Sequence, residues 1–99
     1  MTDKQIKEVQ DIAVELGYEE QSMQLIEEMA ELTQAINKYR RYNNYEAFGN
    51  VVEEIADVTI MLEQIQHLLF IDNNDLDFII DKKIERTKQR LLEEGKNIE

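Results

Sequence analysis

The sequence predicts an all-α protein, four helices in one domain spanning residues 1–99, and three observations carry that reading. The chain has no proline, and only Gly17, Gly49 and Gly95 interrupt it. Strong helix formers dominate, and 33% of the residues are charged. Apolar residues recur at helical spacing in four separate segments.

Thr2 and Gln5 form a capping box that opens helix 1, where Ile6, Val9, Ile12, Ala13 and Leu16 share a face and Gly17 marks the end. Helix 2 is predicted from about residue 20 to the Asn43-Asn44 pair, with a stripe of Leu25, Met29, Leu32, Ile36 and Tyr39. A loop over residues 43–49 follows. Asn50 with Glu53 is a possible second capping box, although Tyr45 is an alternative start for helix 3. Its stripe is Val51, Ile55, Val58, Leu62, Ile65 and Leu69. Asp72-Asn73-Asn74 breaks the pattern before helix 4 begins near Asp75, with Leu76, Ile80, Ile84, Thr87 and Leu91 on one face. That helix should fade before Gly95 and leave Lys96 to Glu99 as a frayed tail.

Ninety-nine residues lie near the lower end of what can bury its own core, so association with another copy is expected. The absence of cysteine excludes disulfides, thiolate catalysis and thiolate zinc sites. No apolar run resembles a signal peptide or approaches the roughly 20 residues of a membrane span, so the expectation is a soluble cytoplasmic protein. A net charge of −11 disfavours nucleic-acid polymers and anionic membranes as partners. It leaves room for a small phosphorylated ligand, because a metal and a few bases reverse the sign locally.

The most informative feature is a repeat 26 residues apart. Residues 25–33 read Leu-Ile-Glu-Glu-Met-Ala-Glu-Leu-Thr and residues 51–59 read Val-Val-Glu-Glu-Ile-Ala-Asp-Val-Thr. Each copy carries two acids three apart, Glu28 with Glu31 and Glu54 with Asp57. Residues i and i+3 share a helix face, so two such helices side by side aim four carboxylates at one another. In each helix the first acid falls roughly 60° and the second roughly 120° off the apolar stripe, both to the same side. Glu27 and Glu53 point away from it. No Lys or Arg stands four residues before or after any of the four acids to neutralise it. Anions gathered in this way repel unless a cation lies among them, which identifies Glu28, Glu31, Glu54 and Asp57 as candidate metal ligands. All-oxygen ligation suits Mg²⁺ first and Mn²⁺ second. Helical di-iron sites need Glu-x-x-His, and His67, the one histidine, maps to the side of helix 3 away from the stripe, as an exposed residue.

Bases cluster at Lys38, Arg40 and Arg41, where the helix dipole favours them, and along helix 4. On helix 4, Lys83, Arg86 and Arg90 fall to one side of the apolar stripe. Two readings of that side are open, a solvated face or a grip on a polyphosphate.

With Glu28-x-x-Glu31, 22 intervening residues and then Glu54-x-x-Asp57, the chain resembles the MazG-like all-α nucleoside triphosphate pyrophosphohydrolases, a superfamily that includes dimeric dUTPases and phosphoribosyl-ATP pyrophosphohydrolase. The resemblance extends from about Gln21 to Leu91 and includes the basic run from Lys83 to Arg90. It implies that the four acids hold Mg²⁺ and that a nucleoside triphosphate is cut to a monophosphate and pyrophosphate. It implies phosphate contacts from Lys83, Arg86 and Arg90, and a base pocket near Tyr18, Tyr39 and Tyr42. It also implies a homodimer or homotetramer with a house-cleaning role in the nucleotide pool. The chain departs from larger relatives in having no tryptophan and only a short connection between helices 2 and 3, which leaves the base open. Phosphoribosyl-ATP or a single pyrimidine deoxynucleotide is an alternative substrate. A non-catalytic acidic helical interaction module is an alternative of another class.

Overall fold

The computed structural model describes residues 1–98 and contains four α-helices and, among those residues, no strand. They are α1 (Asp3–Leu16), α2 (Tyr18–Tyr42), α3 (Tyr45–Leu68) and α4 (Asn73–Glu93). Helix α1 opens on the expected capping box: the Gln5 amide donates to Thr2 Oγ1 at 3.0 Å, and the Thr2 amide donates to Gln5 Oε1 at 2.8 Å. Gly17 ends it at φ +92°, a conformation that side chains rarely adopt, and α2 starts at the next residue.

The turn between α2 and α3 is two residues long. Asn43 takes the left-handed conformation (φ 48°, ψ 52°) and closes α2, its amide donating to the Tyr39 carbonyl at 2.8 Å. Asn44 is extended, and its Oδ1 accepts from the Ala47 amide at 2.8 Å, which caps α3. So α3 begins at Tyr45, the earlier of the two expected starts, and runs straight through Gly49 and Asn50. Helix α4 also starts early, capped by Asp72, whose carboxylate accepts from the Asn74 amide at 2.7 Å. The Lys96 amide reaches back to the Leu91 carbonyl around Gly95, so the chain turns once more before its last residues. Of the expected frayed tail, Glu99 lies outside the described residues.

Helices α2 and α3 form an antiparallel hairpin with the most extensive packing in the molecule, and α1 lies mainly against α3. Ala13, Ala35, Ala47 and Met61 are the buried apolar side chains. A polar clasp joins the three helices: Gln21 Nε2 donates to Gln64 Oε1 at 2.8 Å, and Gln64 Nε2 donates to the Val9 carbonyl at 2.9 Å. Both glutamines are buried. Among the described residues, no Cα of α4 lies within 8 Å of a Cα in the other three helices. The radius of gyration is accordingly 16.8 Å, against about 13 Å for a compact chain of this length. The four helices exist as expected, but within one chain only three of them pack together.

Candidate metal centre

The repeated acids meet where α2 and α3 face each other. Glu28, Glu54 and Asp57 each place a carboxylate oxygen within 4.8 Å of the other two. Glu28 and Glu54 are half-buried at the hairpin interface, and Asp57 is exposed beside them. Ala35 and Met61, which share the sector of these acids, are buried and form the apolar edge of the cluster. Gln24, one turn before Glu28, donates from Nε2 to Glu28 Oε1 at 2.9 Å and fixes that carboxylate.

The other oxygens have no such partner. Glu28 Oε2 and Glu54 Oε2 are shielded from solvent and accept no hydrogen bond. Buried polar atoms without partners are rare and costly, and these two belong to side chains that are anionic in water. A carboxylate has no proton to donate, so the approach of Glu54 to Glu28 becomes a hydrogen bond only when one of them is protonated. Burial therefore pushes Glu54 above its ordinary value of 4.5, with further upward pushes from that hydrogen bond and from the charges of Glu31, Glu28 and Asp57. Asp57 is also raised from its ordinary value of 3.8, first by burial of its carboxyl, then by the charge of Glu28, its hydrogen bond and the charge of Glu53. The donor set fits a hard divalent cation: all the donors are carboxylate oxygens, two of them are orphaned, and no base among the described residues pairs with them. Glu28, Glu54 and Asp57 would hold it.

Glu31 is exposed and stands outside this triad, close enough to act on Glu54 through its charge. Glu27 and Glu53 are exposed, as their helix positions require. His67 is half-buried rather than exposed, near the C-terminus of α3 and two turns or more from the acids.

The structure does not bring the candidate phosphate-binding residues to the acids within one chain. Lys83, Arg86 and Arg90 are exposed on α4, which stands away from the hairpin. Arg90 Nε lies 4.0 Å from Glu94, while Lys83 and Arg86 have no carboxylate partner among the described residues. The three tyrosines are also dispersed. Tyr18 is exposed at the start of α2, and Tyr42 is exposed at its end with the Arg41 guanidinium 5.9 Å from its ring. Tyr39 alone lines a cleft, of about 490 Å³, with Asn43, Asn44, Tyr45 and Phe48 at the α2–α3 turn. Its ring meets that of Phe48 edge-on, with centroids 5.7 Å apart. Tyr45 and Phe48 are not among the candidate site residues that the sequence predicts. The signal was Tyr42, Tyr45 and Phe48 at intervals of three across the Asn43-Asn44 pair, hidden because that stretch reads as a loop.

The chain matches no protein-family model, and no curated protein or solved structure matches it. What it does must be read from its residues.

Proposed function

We propose that this chain is a Mg²⁺-dependent hydrolase that cleaves nucleoside triphosphates to a monophosphate and pyrophosphate, as its resemblance to the MazG-like superfamily implies. The observation that supports this most is the pair of buried, unpartnered carboxylate oxygens on Glu28 and Glu54 with Asp57 beside them. Such a set is unstable by itself and suited to a cation with oxygen preference. Mg²⁺, when bound, would supply charge neutralisation for the phosphates and a more acidic water. The protein's part is to hold Glu28, Glu54 and Asp57 at fixed separation on the paired helices, with Gln24 fixing Glu28. Glu31, exposed outside the triad, would add a ligand contact or orient a water. Lys83, Arg86 and Arg90 would serve the phosphates only if a helix α4 is delivered to the acids.

The test is pyrophosphate release from a panel of ribo- and deoxyribonucleoside triphosphates, canonical and modified, with Mg²⁺ and with chelator. Metal-dependent pyrophosphate with a monophosphate product supports the proposal, and the rank order names the base. Orthophosphate would mean that another bond is cut. No turnover across the panel, phosphoribosyl-ATP included, would sink the hydrolase reading and favour a non-catalytic acidic module.

A further inference from the structure

The end of the α2–α3 hairpin differs in charge and composition from the rest of the chain. From Leu32 to Tyr45 there is no acid, in a sequence that has 22 of them and a net charge of −11. Three bases, Lys38, Arg40 and Arg41, fall inside that run. The dipole at the end of α2 accounts for the bases but not for the rings interleaved with them. Of the seven aromatic residues (four Tyr and three Phe), Tyr39, Tyr42, Tyr45 and Phe48 stand together in this short stretch.

The two-residue turn folds them into a cleft. Asn43 in its left-handed conformation and the Asn44 cap return α3 against α2, which sets the Tyr39 ring edge-on to that of Phe48. These two rings line the cleft of about 490 Å³ together with Tyr45, Asn43 and Asn44. Tyr45 is 95% exposed and Phe48 51% exposed, so both keep ring surface open to a ligand. Asn44 Oδ1 accepts from the Ala47 amide. No hydrogen bond among the described residues occupies the side-chain amide donors of Asn44 or the carboxamide of Asn43.

This cleft is separate from the acid triad. Counting about 100° per residue, Phe48 falls roughly 120° to one side of Glu54, and Asp57 roughly 60° to the other. On α2, Asn43 falls roughly 60° to one side of Glu28, and Glu31 roughly 60° to the other. Because α2 and α3 are antiparallel, equal rotations reach the same face of the hairpin, so the cleft opens away from Asp57 and Glu31. Arg40 falls on the cleft side of α2, roughly 120° from Glu28. Glu46, the first acid after the run, falls on the Asp57 side of α3 and does not line the cleft. Of the three tyrosines expected in a base pocket beside the acids, only Tyr39 lines it.

We infer that the cleft is a second, metal-independent ligand site, which takes a planar nitrogen heterocycle carrying a phosphate, a nucleoside monophosphate being the simplest. Open rings on Tyr45 and Phe48 stack on the flat face of a heterocycle whatever its edge. Carboxamides supply both donors and acceptors to that edge. The Arg40 guanidinium takes a phosphate through two parallel hydrogen bonds. The volume holds one such molecule rather than a strand, and the acidic body of the chain repels the further phosphates of a polymer. This inference does not rest on the hydrolase reading, since neither the acids nor a cation takes part.

Titration of the ¹⁵N-labelled full chain with AMP, GMP, CMP and UMP in turn, followed by amide NMR with chelator present, tests it. At least one should shift amides of residues 39–48 along a saturable curve by about 10 mM, which fills most of a millimolar site. The amides of Glu28, Glu54 and Asp57 should stay in place. Inorganic phosphate and the matching nucleoside should each bind more weakly than the monophosphate. Tyr45→Ala, which removes an exposed side chain, should keep the fold and weaken binding about tenfold, the loss of one stacking ring. Arg40→Gln should weaken it too and make what remains less sensitive to salt. Phe70→Ala, 93% exposed beyond the other end of α3, should change nothing. No saturable shift with any of the four, shifts at the acids instead of the turn, or undiminished binding by Tyr45→Ala would overturn the inference. So would binding of inorganic phosphate as tight as that of the monophosphate. Binding of a single-stranded octanucleotide ten times tighter than any monophosphate would overturn it in favour of a polymer.

Discussion

Glu28 on α2 and Glu54 on α3 confront each other across the hairpin interface, each with its Oε2 buried and without a donor. The two residues hold the same position in the two copies of the sequence repeat. The pairing of the helices thus converts a repetition along the chain into a concentration of negative charge in space. Asp57 completes a triad within 4.8 Å, and among the described residues no cationic side chain forms an ion pair with it. An arrangement that weakens the apo fold is the one that a divalent cation stabilises most.

Metal should therefore raise thermal stability through the triad. At a hundred times its dissociation constant, bound Mg²⁺ or Mn²⁺ adds about 2.7 kcal/mol, which for a domain of this size raises Tm by roughly 10 °C or more. Glu54→Gln should abolish that increment while leaving the helical fold in place. Glu53→Gln, one residue away and exposed, should keep it. Differential scanning fluorimetry with and without metal, against a NaCl control, separates site binding from general screening. Equal increments in wild type and Glu54→Gln would discard the triad as the site.

The raised carboxyls give a pH dependence of definite sign. Glu54 and Asp57 are both pushed above their ordinary values of 4.5 and 3.8, so ionising them costs more in the folded protein than in the unfolded chain. The full penalty is present above the raised values. It is relieved as the pH falls through them and is gone below the ordinary ones. Metal-free wild type should gain stability relative to Glu54→Gln as the pH falls from neutral toward 4.5. The metal-dependent increment should shrink over the same interval, because protons compete for the ligand oxygens. Melting curves of the two proteins at several pH values, with chelator and with Mg²⁺, show both trends. A gap between them that does not change with pH would contradict the assignment.

The start of α3 yields a sharper mutational contrast. Asn44 Oδ1 caps the helix through the Ala47 amide, so Asn44→Ala should cost about 1 kcal/mol. Asn50 is an exposed residue within the second turn, and Asn50→Ala should be neutral or slightly stabilising, since alanine is the better helix former. Urea denaturation of the two variants distinguishes them, and the reverse order would restore the later start.

That contrast shows where the sequence was legible. Asn44 and Asn50 are both credible caps, and local pattern weighted Gly49 as a breaker; the αL turn at Asn43 decided the matter by bringing α2 and α3 into contact at once. Asp72 was hidden in the same way by an acidic-polar run in which Asp75 was an equally good start. The helices themselves, the Thr2–Gln5 box and the role of Gly17 were readable because each depends on neighbours in sequence. The acids were readable because repetition and the i, i+3 rule fix their face before any packing is known. Glu31 is exposed outside the triad and, among the described residues, α4 packs on no other helix; neither outcome follows from periodicity, which fixes a face but not what lies against it.

Gln21 and Gln64 should be worth more to stability than their polarity suggests. Gln64→Leu leaves the buried Gln21 amide without a partner inside the three-helix unit and removes a second hydrogen bond from the Val9 carbonyl, which keeps its helical one, at a cost of about 1–3 kcal/mol. Gln21→Leu with Gln64→Leu removes both glutamines and leaves no buried side-chain amide without a partner. The double variant should therefore be less destabilised than the sum of the single ones. A double-mutant cycle from denaturant midpoints measures the coupling. Strict additivity would show that the clasp carries no energy of its own.

Helix α4 has the least support in a single chain. None of its residues is buried, and Phe78, Ile79, Ile80 and Ile84 are 61%, 50%, 41% and 49% exposed. Twenty-one residues form only a marginal helix in water when no apolar face is covered. The Asp72 cap and the Lys82 ammonium over the Phe78 ring, 4.6 Å from its centroid, are local contacts worth about 1 kcal/mol each. At low protein concentration, amides of α4 should exchange with solvent within seconds, while those around Gln64 stay protected by the packing of α1, α2 and α3. In concentrated wild type, protection of α4 should rise with protein concentration if another copy covers its apolar side. Hydrogen exchange read by mass spectrometry at two concentrations decides this. Protection of α4 equal to that of α3 in the lone chain would mean that α4 folds back onto its own hairpin.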